Sequence, residues 1–210
     1  NPTGKVYPQE FLESLWTRYP HIYFVIDSSY SYFTQASLPD PSETIHRFPN
    51  VIFVASLTKR YAMPGLRLGY VMAASEVIQR LSAYAAPWSV GSLAIAAGEW
   101  IVKYHFPHLL DRDQLFAESR RLWNAIDALP YFEPQPTETH FFLVGCTHPS
   151  IPTGEALKSL LALRYGLLVR DATNFGYSAP TIRIATQRPE ENDLLIAALT
   201  ELSSSPHLTL

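Results

Sequence analysis

The chain has 210 residues, 47% of them apolar and 17% charged, with a formal net charge of −3. This composition suits a globular protein with a sizeable core and one or two domains. The weak negative charge leaves no electrostatic footprint for nucleic acid. No apolar run is long enough to span a membrane, and no secretory leader is expected. A single cysteine, Cys146, excludes an internal disulfide and fits a reducing cytoplasm. Neither CxxC nor HExxH occurs. His105 and His108 flank Phe106-Pro107, which spoils a helical ligand pair, so no metal is expected.

In chain order, Asn1-Pro2-Thr3-Gly4 is a turn signal. Pro8 to Arg18 sets Phe11, Leu12, Leu15 and Trp16 at helical spacing, which predicts an amphipathic helix. His21 to Ile26 reads as a strand running into Asp27-Ser28-Ser29-Tyr30. Strand, helix and strand in succession predict a parallel sheet. An aspartate at the carboxyl end of such a strand lies where open α/β folds bind ligands. The plainer alternative is a cap or turn aspartate.

Ser31 to Pro49 is polar and proline-containing, a loop with at most a short helix. Val51 to Ala55 and Leu68 to Met72 predict buried strands. Ser75 to Ala85 predicts a helix with Ser75 as N-cap, and Pro87-Trp88-Ser89-Val90 a break. Leu93 to Tyr104 predicts a second helix, so apolar that burial is expected. Phe106 to Leu129 predicts a long helix with a charged face. It is the expected boundary between a large domain, residues 1–105, and a small one, residues 106–210. Beyond it, strands over Thr139–Gly145, Leu167–Arg170 and Thr181–Thr186 alternate with helices over Gly154–Arg164 and Pro189–Leu202, an α+β pattern. The stretch Ser203 to Pro206 is expected to be disordered.

The rest is organised around Ser56-Leu57-Thr58-Lys59-Arg60-Tyr61-Ala62-Met63-Pro64-Gly65-Leu66-Arg67-Leu68-Gly69-Tyr70. Here a lysine flanked by hydroxyls sits between two buried strands, with an arginine eight residues on. Two cations in that setting need an anion or carry an uncompensated charge. A snorkelling turn lysine is the bland alternative. The other is a lysine that forms a Schiff base, with an arginine for a phosphate.

The stretch resembles the lysine motif of pyridoxal-phosphate enzymes of the aminotransferase class I/II family, S-x-[ST]-K followed after a spacer by G-x-R-x-G-Y. Two further motifs agree. The family's N-P-[TS]-G, which lies at the end of a large-domain strand, matches Asn1 to Gly4. Its D-[EG]-A-Y matches Asp27 and Tyr30, with Ser28-Ser29 as a departure between the two functional positions.

The resemblance implies the C-terminal part of an α/β enzyme of fold type I. An incomplete, mostly parallel large-domain sheet with helices would be joined to a small α+β domain. It implies pyridoxal 5'-phosphate as cofactor, a homodimer, and an earlier segment carrying the glycine-rich phosphate loop and a ring-stacking aromatic. By motif position, Lys59 would be the Schiff-base lysine and proton carrier. Asp27 would partner the pyridinium nitrogen, and Asn1 and Tyr30 the ring hydroxyl. Ser56 and Arg67 would hold the phosphate, with Thr58 a lesser ligand.

Arg183, in Thr181-Ile-Arg-Ile-Ala, resembles the arginine that grips the substrate carboxylate, and Arg170 would hold a second anion. Leu-Val-Arg-Asp, Asn174-Phe175 and Glu190-Glu191-Asn192 resemble the histidinol-phosphate aminotransferase branch and the related threonine-phosphate decarboxylases of cobalamin biosynthesis. Asn174-Phe175, Pro87-Trp88-Ser89-Val90 and Thr137-Glu-Thr-His-Phe-Phe142 resemble the decarboxylases more closely. The substrate would be an amino acid, phosphorylated in this branch. Two alternatives remain open: a fragment that cannot complete its site, and an unrelated α/β hydrolase or dehydrogenase. No GxSxG, GxGxxG or P-loop supports the last.

Overall fold

The computed structural model describes residues 1–104, 110–177 and 179–205. They divide into two units. One begins at Tyr7 and takes the described residues before Leu110; the other joins Asn1–Val6 to the chain from Leu110 onward.

In the first unit, three strands, β1 (Phe24–Asp27), β2 (Val51–Ser56) and β3 (Gly69–Met72), pair in the order β1-β2-β3. The centre is β2 because Val51-Ile-Phe-Val-Ala is apolar on both faces, as a strand covered on two sides must be. It runs parallel to β1, with Phe24 opposite Val51 and Asp27 opposite Val54. It runs antiparallel to β3, with Ser56 opposite Gly69. Parallel pairing therefore brings the carboxyl ends of β1 and β2 side by side. At Gly69 a Cβ would stand 2.6 Å from the Ala55 carbonyl oxygen, so this crossing needs a glycine.

Helix α1 (Gln9–Arg18) packs Trp16 against Val51 and Phe53. Helix α2 (Pro41–Arg47) starts on Asp40, whose side chain accepts from the Glu43 N–H, with proline in its first turn, a favoured helix start. Helix α3 (Leu57–Arg60) is one turn, and α4 (Ser75–Ala83) and α5 (Ser92–Tyr104) follow β3.

The second unit has four strands, β4 (Phe132–Pro134), β5 (Phe141–Cys146), β6 (Arg170–Asp171) and β7 (Thr181–Ala185). They form an antiparallel sheet in the order β4-β5-β7-β6. Helices α6 (Arg112–Asp127), α7 (Gly154–Tyr165) and α8 (Pro189–Ser204) enclose one core. Leu122, Phe142, Leu157, Leu161, Ile182 and Leu199 are among its fully buried residues. Each contributes about 1.5–3 kcal/mol by leaving water. No helix among the described residues is long and apolar enough to cross a membrane.

Several expected elements change. Ser75 is the first residue of α4, and Ala74 is its uncapped N-cap. Helix α5 is not buried: only Ala94 and Ile101 are, while Leu93 is 78% and Val102 70% exposed. Its apolar surround describes what could cover it, not what does. The helix expected from Phe106 begins at Arg112, because the Asp111 side chain accepts from the N–H groups of Asp113 and Gln114 and fixes the start there. The part over 106–109 lies outside the described residues, as do His105 and His108. The strand expected from Leu167 shrinks to Arg170–Asp171. Ser203 and Ser204 are helical and Ser205 caps α8, so order extends further than expected; Pro206 lies outside the described residues. The large-domain sheet is mixed, since β3 is antiparallel to β2.

Candidate active site

In the first unit, the ends of β1 and β2 gather five of the expected residues. Asp27 closes β1 and is exposed. One carboxylate oxygen, Oδ1, accepts from the Ser29 N–H at 2.9 Å. This is the turn contact of the plainer alternative, and it engages one oxygen only. Ser28 N–H donates to the Val54 carbonyl at 2.8 Å. Ser29 Oγ accepts from the Ser56 N–H at 3.2 Å. The two serines that depart from the family motif thus lock the end of β1 to the end of β2.

Ser56 is the N-cap of α3. Its Oγ accepts from the Thr58 N–H at 3.3 Å and lies 2.7 Å from Thr58 Oγ1. Thr58 is buried and Lys59 exposed. Lys59 Nζ stands 5.9 Å from the centroid of the Tyr30 ring, close enough for a weak cation–π attraction. Tyr30 is half-buried at the start of the 3₁₀ turn Ser31–Phe33.

Arg67 ends a second 3₁₀ turn, Pro64–Leu66, in the left-handed region at φ 51°, and donates to the Pro64 carbonyl at 3.1 Å. Ala62 is also left-handed, at φ 51°. Such strain in non-glycine residues gathers at ligand sites. Nothing crowds Gly65 within 4 Å; the close backbone approach in this stretch is at Gly69.

The second unit carries the other three. Arg183 on β7 lies between Leu143 of β5 and Arg170 of β6. Residues directly opposite in an antiparallel pair share a face, and like charges there repel. Arg183 Nη1 donates to Asn1 Oδ1 at 2.7 Å, and its Nε is buried with no hydrogen-bond partner. Its guanidinium carbon lies 5.6 Å from the Phe141 ring centroid, and that of Arg170 lies 5.6 Å from that of Phe175. Arg170 lines a cavity of about 490 Å³ with Lys158, Asp171 and Asn174. Asp171 does not neutralise it: its Oδ1 accepts from the N–H and hydroxyl of Thr173.

These cations share with others of the chain, such as Arg18, Arg60 and Arg80, the lack of a carboxylate partner among the described residues. Among the described residues the ion pairs involve Arg47, Arg121, Lys158, Arg164 and Arg188. Lys59, Arg67, Arg170 and Arg183 take part in none. A buried guanidinium nitrogen without an acceptor is costly. Cations without carboxylates beside paired hydroxyls therefore fit an anionic group, a phosphate in the first unit and a carboxylate or second phosphate in the second.

The sequence of the family described as aminotransferase class I and II matches residues 1–199. The chain belongs to that family. It is 31% identical over 159 residues to a protein of Caldanaerobacter subterraneus subsp. tengcongensis provisionally named a threonine-phosphate decarboxylase, covering 75% of this chain and 42% of that one. It is 28% identical over 213 residues to histidinol-phosphate aminotransferase 2 of Haemophilus influenzae, covering 96% and 54%. The crystal structure of L-threonine-O-3-phosphate decarboxylase from Porphyromonas gingivalis superimposes with a TM-score of 0.90 at 32% identity, covering 98% of this chain and 62% of that one. The chain spans about half the length of the curated relatives it matches. The fold is fold type I, as the motifs implied.

Some residues of both sites carried no signal that was used. Ser29 was read as part of a departure, although a hydroxyl two positions after Asp27 could have pointed to a strand-end lock. His140 was read only as part of a subfamily cue. Burial, and after it the charge of Arg183, push this histidine down to about 4. A lone histidine opening a buried strand was the available sign.

Proposed function

We propose that the chain is the lysine-bearing portion of a pyridoxal-phosphate enzyme acting on an amino acid with a second anionic group, threonine phosphate in the first instance. One observation carries the reading. Lys59 stands at the adjoining ends of two parallel strands with Asp27, Tyr30, Ser56 and Thr58, and no carboxylate among the described residues pairs with it.

Bound pyridoxal phosphate supplies an electron sink for negative charge at the substrate α-carbon. The residues do the rest. Lys59 would supply the amine for the cofactor's aldehyde and the group that holds or delivers the proton at the substrate α-carbon. The carboxylate of Asp27 favours a protonated ring nitrogen. Asn1 and Tyr30 serve the ring hydroxyl, and Ser56, Thr58 and Arg67 take the phosphate. Arg183 offers a fork for the α-carboxylate. Arg170, set opposite it, takes the distal anion.

Two anionic groups on one substrate answer the Arg170–Arg183 repulsion, which supports a phosphorylated substrate over an ordinary amino acid. The Thr137–Phe142 and Trp88 stretches favour decarboxylation, and the alternative is amino transfer from histidinol phosphate. The two differ in which bond at the substrate α-carbon breaks, which the positioning of the substrate would decide.

The test uses the intact protein with cofactor. Release of CO₂ from threonine phosphate without an oxo-acid supports the decarboxylase. Amino transfer from histidinol phosphate to an oxo-acid, with no CO₂ from threonine phosphate, replaces it with the aminotransferase. Neither reaction, with no Schiff-base absorbance on adding cofactor, removes the reading.

The assembly is proposed as a homodimer. The apolar side chains of Trp88, Leu93 and Val102 are exposed by 98%, 78% and 70%, and a second copy would cover such side chains. Light scattering of the intact protein decides this, and a monomer at micromolar concentration would contradict it.

A further inference from the structure

The turn that carries Asn1 is fastened at both ends to the sheet that carries Arg183. At one end, Arg183 Nη1 donates to Asn1 Oδ1. At the other, the bend between β4 and β5 grips residues 4 to 6. The Glu138 N–H donates to the Gly4 carbonyl at 2.8 Å, and the Val6 N–H donates to Glu138 Oε2 at 2.7 Å. Glu138 thus serves residues 4–6 with both a donor and an acceptor, as a neighbouring strand would.

The approach is close. A Cβ on Gly4 would collide with Thr137 Oγ1 and stand 2.7 Å from the Phe141 carbonyl oxygen, and Gly4 itself sits at φ +72°. The bend is rigid in turn. Thr137 Oγ1 donates to the Phe141 carbonyl at 2.7 Å and accepts from the Thr139 N–H at 3.1 Å. Glu138 is exposed and contributes little to any core. Its two bonds are therefore not explained by packing.

We propose that Glu138 is a positioning residue: its carboxylate on the Val6 N–H and its N–H on the Gly4 carbonyl hold the Asn1–Gly4 turn so that the Asn1 amide stays bonded to Arg183. The Asn1–Arg183 bond joins the residue that serves the cofactor ring hydroxyl to the residue that grips the substrate carboxylate. A loosened turn lets that amide leave, and the guanidinium loses the contact that aims it. The proposal rests on the pyridoxal-phosphate reading for what Asn1 and Arg183 hold, but the fastening itself is a property of this chain alone. A charge-assisted bond to a backbone N–H is among the stronger kinds.

The test takes Glu138→Ala and Glu138→Gln in the intact protein, with three readouts. The first is amide hydrogen exchange at Val6, with or without cofactor. Losing the acceptor should speed it about tenfold or more in Glu138→Ala, while the Gln amide oxygen should restore most of the protection. The second is the steady-state split: Glu138→Ala should raise KM for the amino-acid substrate several-fold with kcat changed less, and Glu138→Gln should lie near wild type. The third is borohydride labelling of Lys59 with cofactor, which reports on the cofactor reading independently. Label at Lys59 with unchanged Val6 exchange overturns the Glu138 proposal. Faster Val6 exchange with no label at Lys59 overturns the cofactor reading and leaves the fastening established. Faster exchange and label with an unmoved KM shows a merely structural contact and also overturns the positioning role.

Discussion

In the second unit, sixteen buried residues, Ile151 from the loop before α7 and the others from the sheet and from α6, α7 and α8, form one cluster. In the first, the clustered buried residues form two groups of three, Trp16 with Val51 and Phe53, and Ile52 with Ala73 and Val77, while Phe33, Ala55, Ala94 and Ile101 are buried outside them. The first unit leaves Val25, Trp88, Leu93 and Val102 more than half exposed. The lysine motif lies on this thinly packed unit and the paired arginines on the well-packed one. The lysine set is accordingly held by backbone pairing of β1 with β2 and by serine hydroxyls. The arginine set is held by strand register over a closed core.

Substitutions in the intact protein test this contrast between the units. The largest effect belongs to Lys59→Ala, which removes the anchoring amine and the proton carrier together. Turnover should fall on the order of 10⁴-fold or more, with the melting temperature nearly unchanged because Lys59 is exposed. A collapse in stability instead would make the lysine structural.

Next comes Phe142→Ala in the larger cluster, which should cost about 3–5 kcal/mol in denaturant unfolding. Leu12→Ala beside the smaller cluster should cost about 1 kcal/mol. Equal losses would erase the contrast between the units.

A pH effect of similar size is expected at His140. Its folded value lies near 4 against an ordinary 6.5, chiefly through burial and then through Arg183. The unfolded chain takes up the proton from about 6.5 downward, whereas the folded one waits until about 4. The stability is therefore complete above pH 6.5 and is lost as pH falls from there to 4, by up to about 3 kcal/mol. Urea midpoints from pH 7.5 to 4 should show this fall, and His140→Gln should flatten that part of it. A wild-type midpoint that is level across the window would exclude a neutral buried His140.

Asp27→Asn should lower turnover on the order of 10²-fold with the fold intact. Near-normal turnover with cofactor bound would reduce Asp27 to the turn residue that its bond to Ser29 already makes it. Arg170→Ala should raise KM for the phosphorylated substrate by an amount worth roughly 1.5–3 kcal/mol. An unaltered KM would detach the cavity beside α7 from substrate binding.

Much of this was legible because it is local. Ser56, Thr58, Lys59 and Arg67 announce themselves as a motif, and continuous apolar runs mark β2 and β5. The helices α7 and α8 appear close to their expected bounds. What stayed hidden is non-local. No pattern in Leu167–Asp171 says that Arg170 will face Arg183, because register is set across strands by turn geometry and the buried face. Asn1 lay 182 positions from the arginine that bonds it. The exposure of α5 was misread for a related reason: an all-round apolar helix implies a cover without naming it. Ser28 and Ser29 looked like a lapse from a motif because a lock between strand ends is invisible until the strands are paired.

The central claim is that Lys59 is the residue to which the cofactor is joined. The most direct measurement is borohydride reduction of the intact protein with pyridoxal phosphate, followed by digestion and mass spectrometry of the labelled peptide. One reduced adduct is expected, on Lys59, and none after Lys59→Ala. A label on Lys103 or Lys158, or no label in protein that has taken up the cofactor, would contradict it.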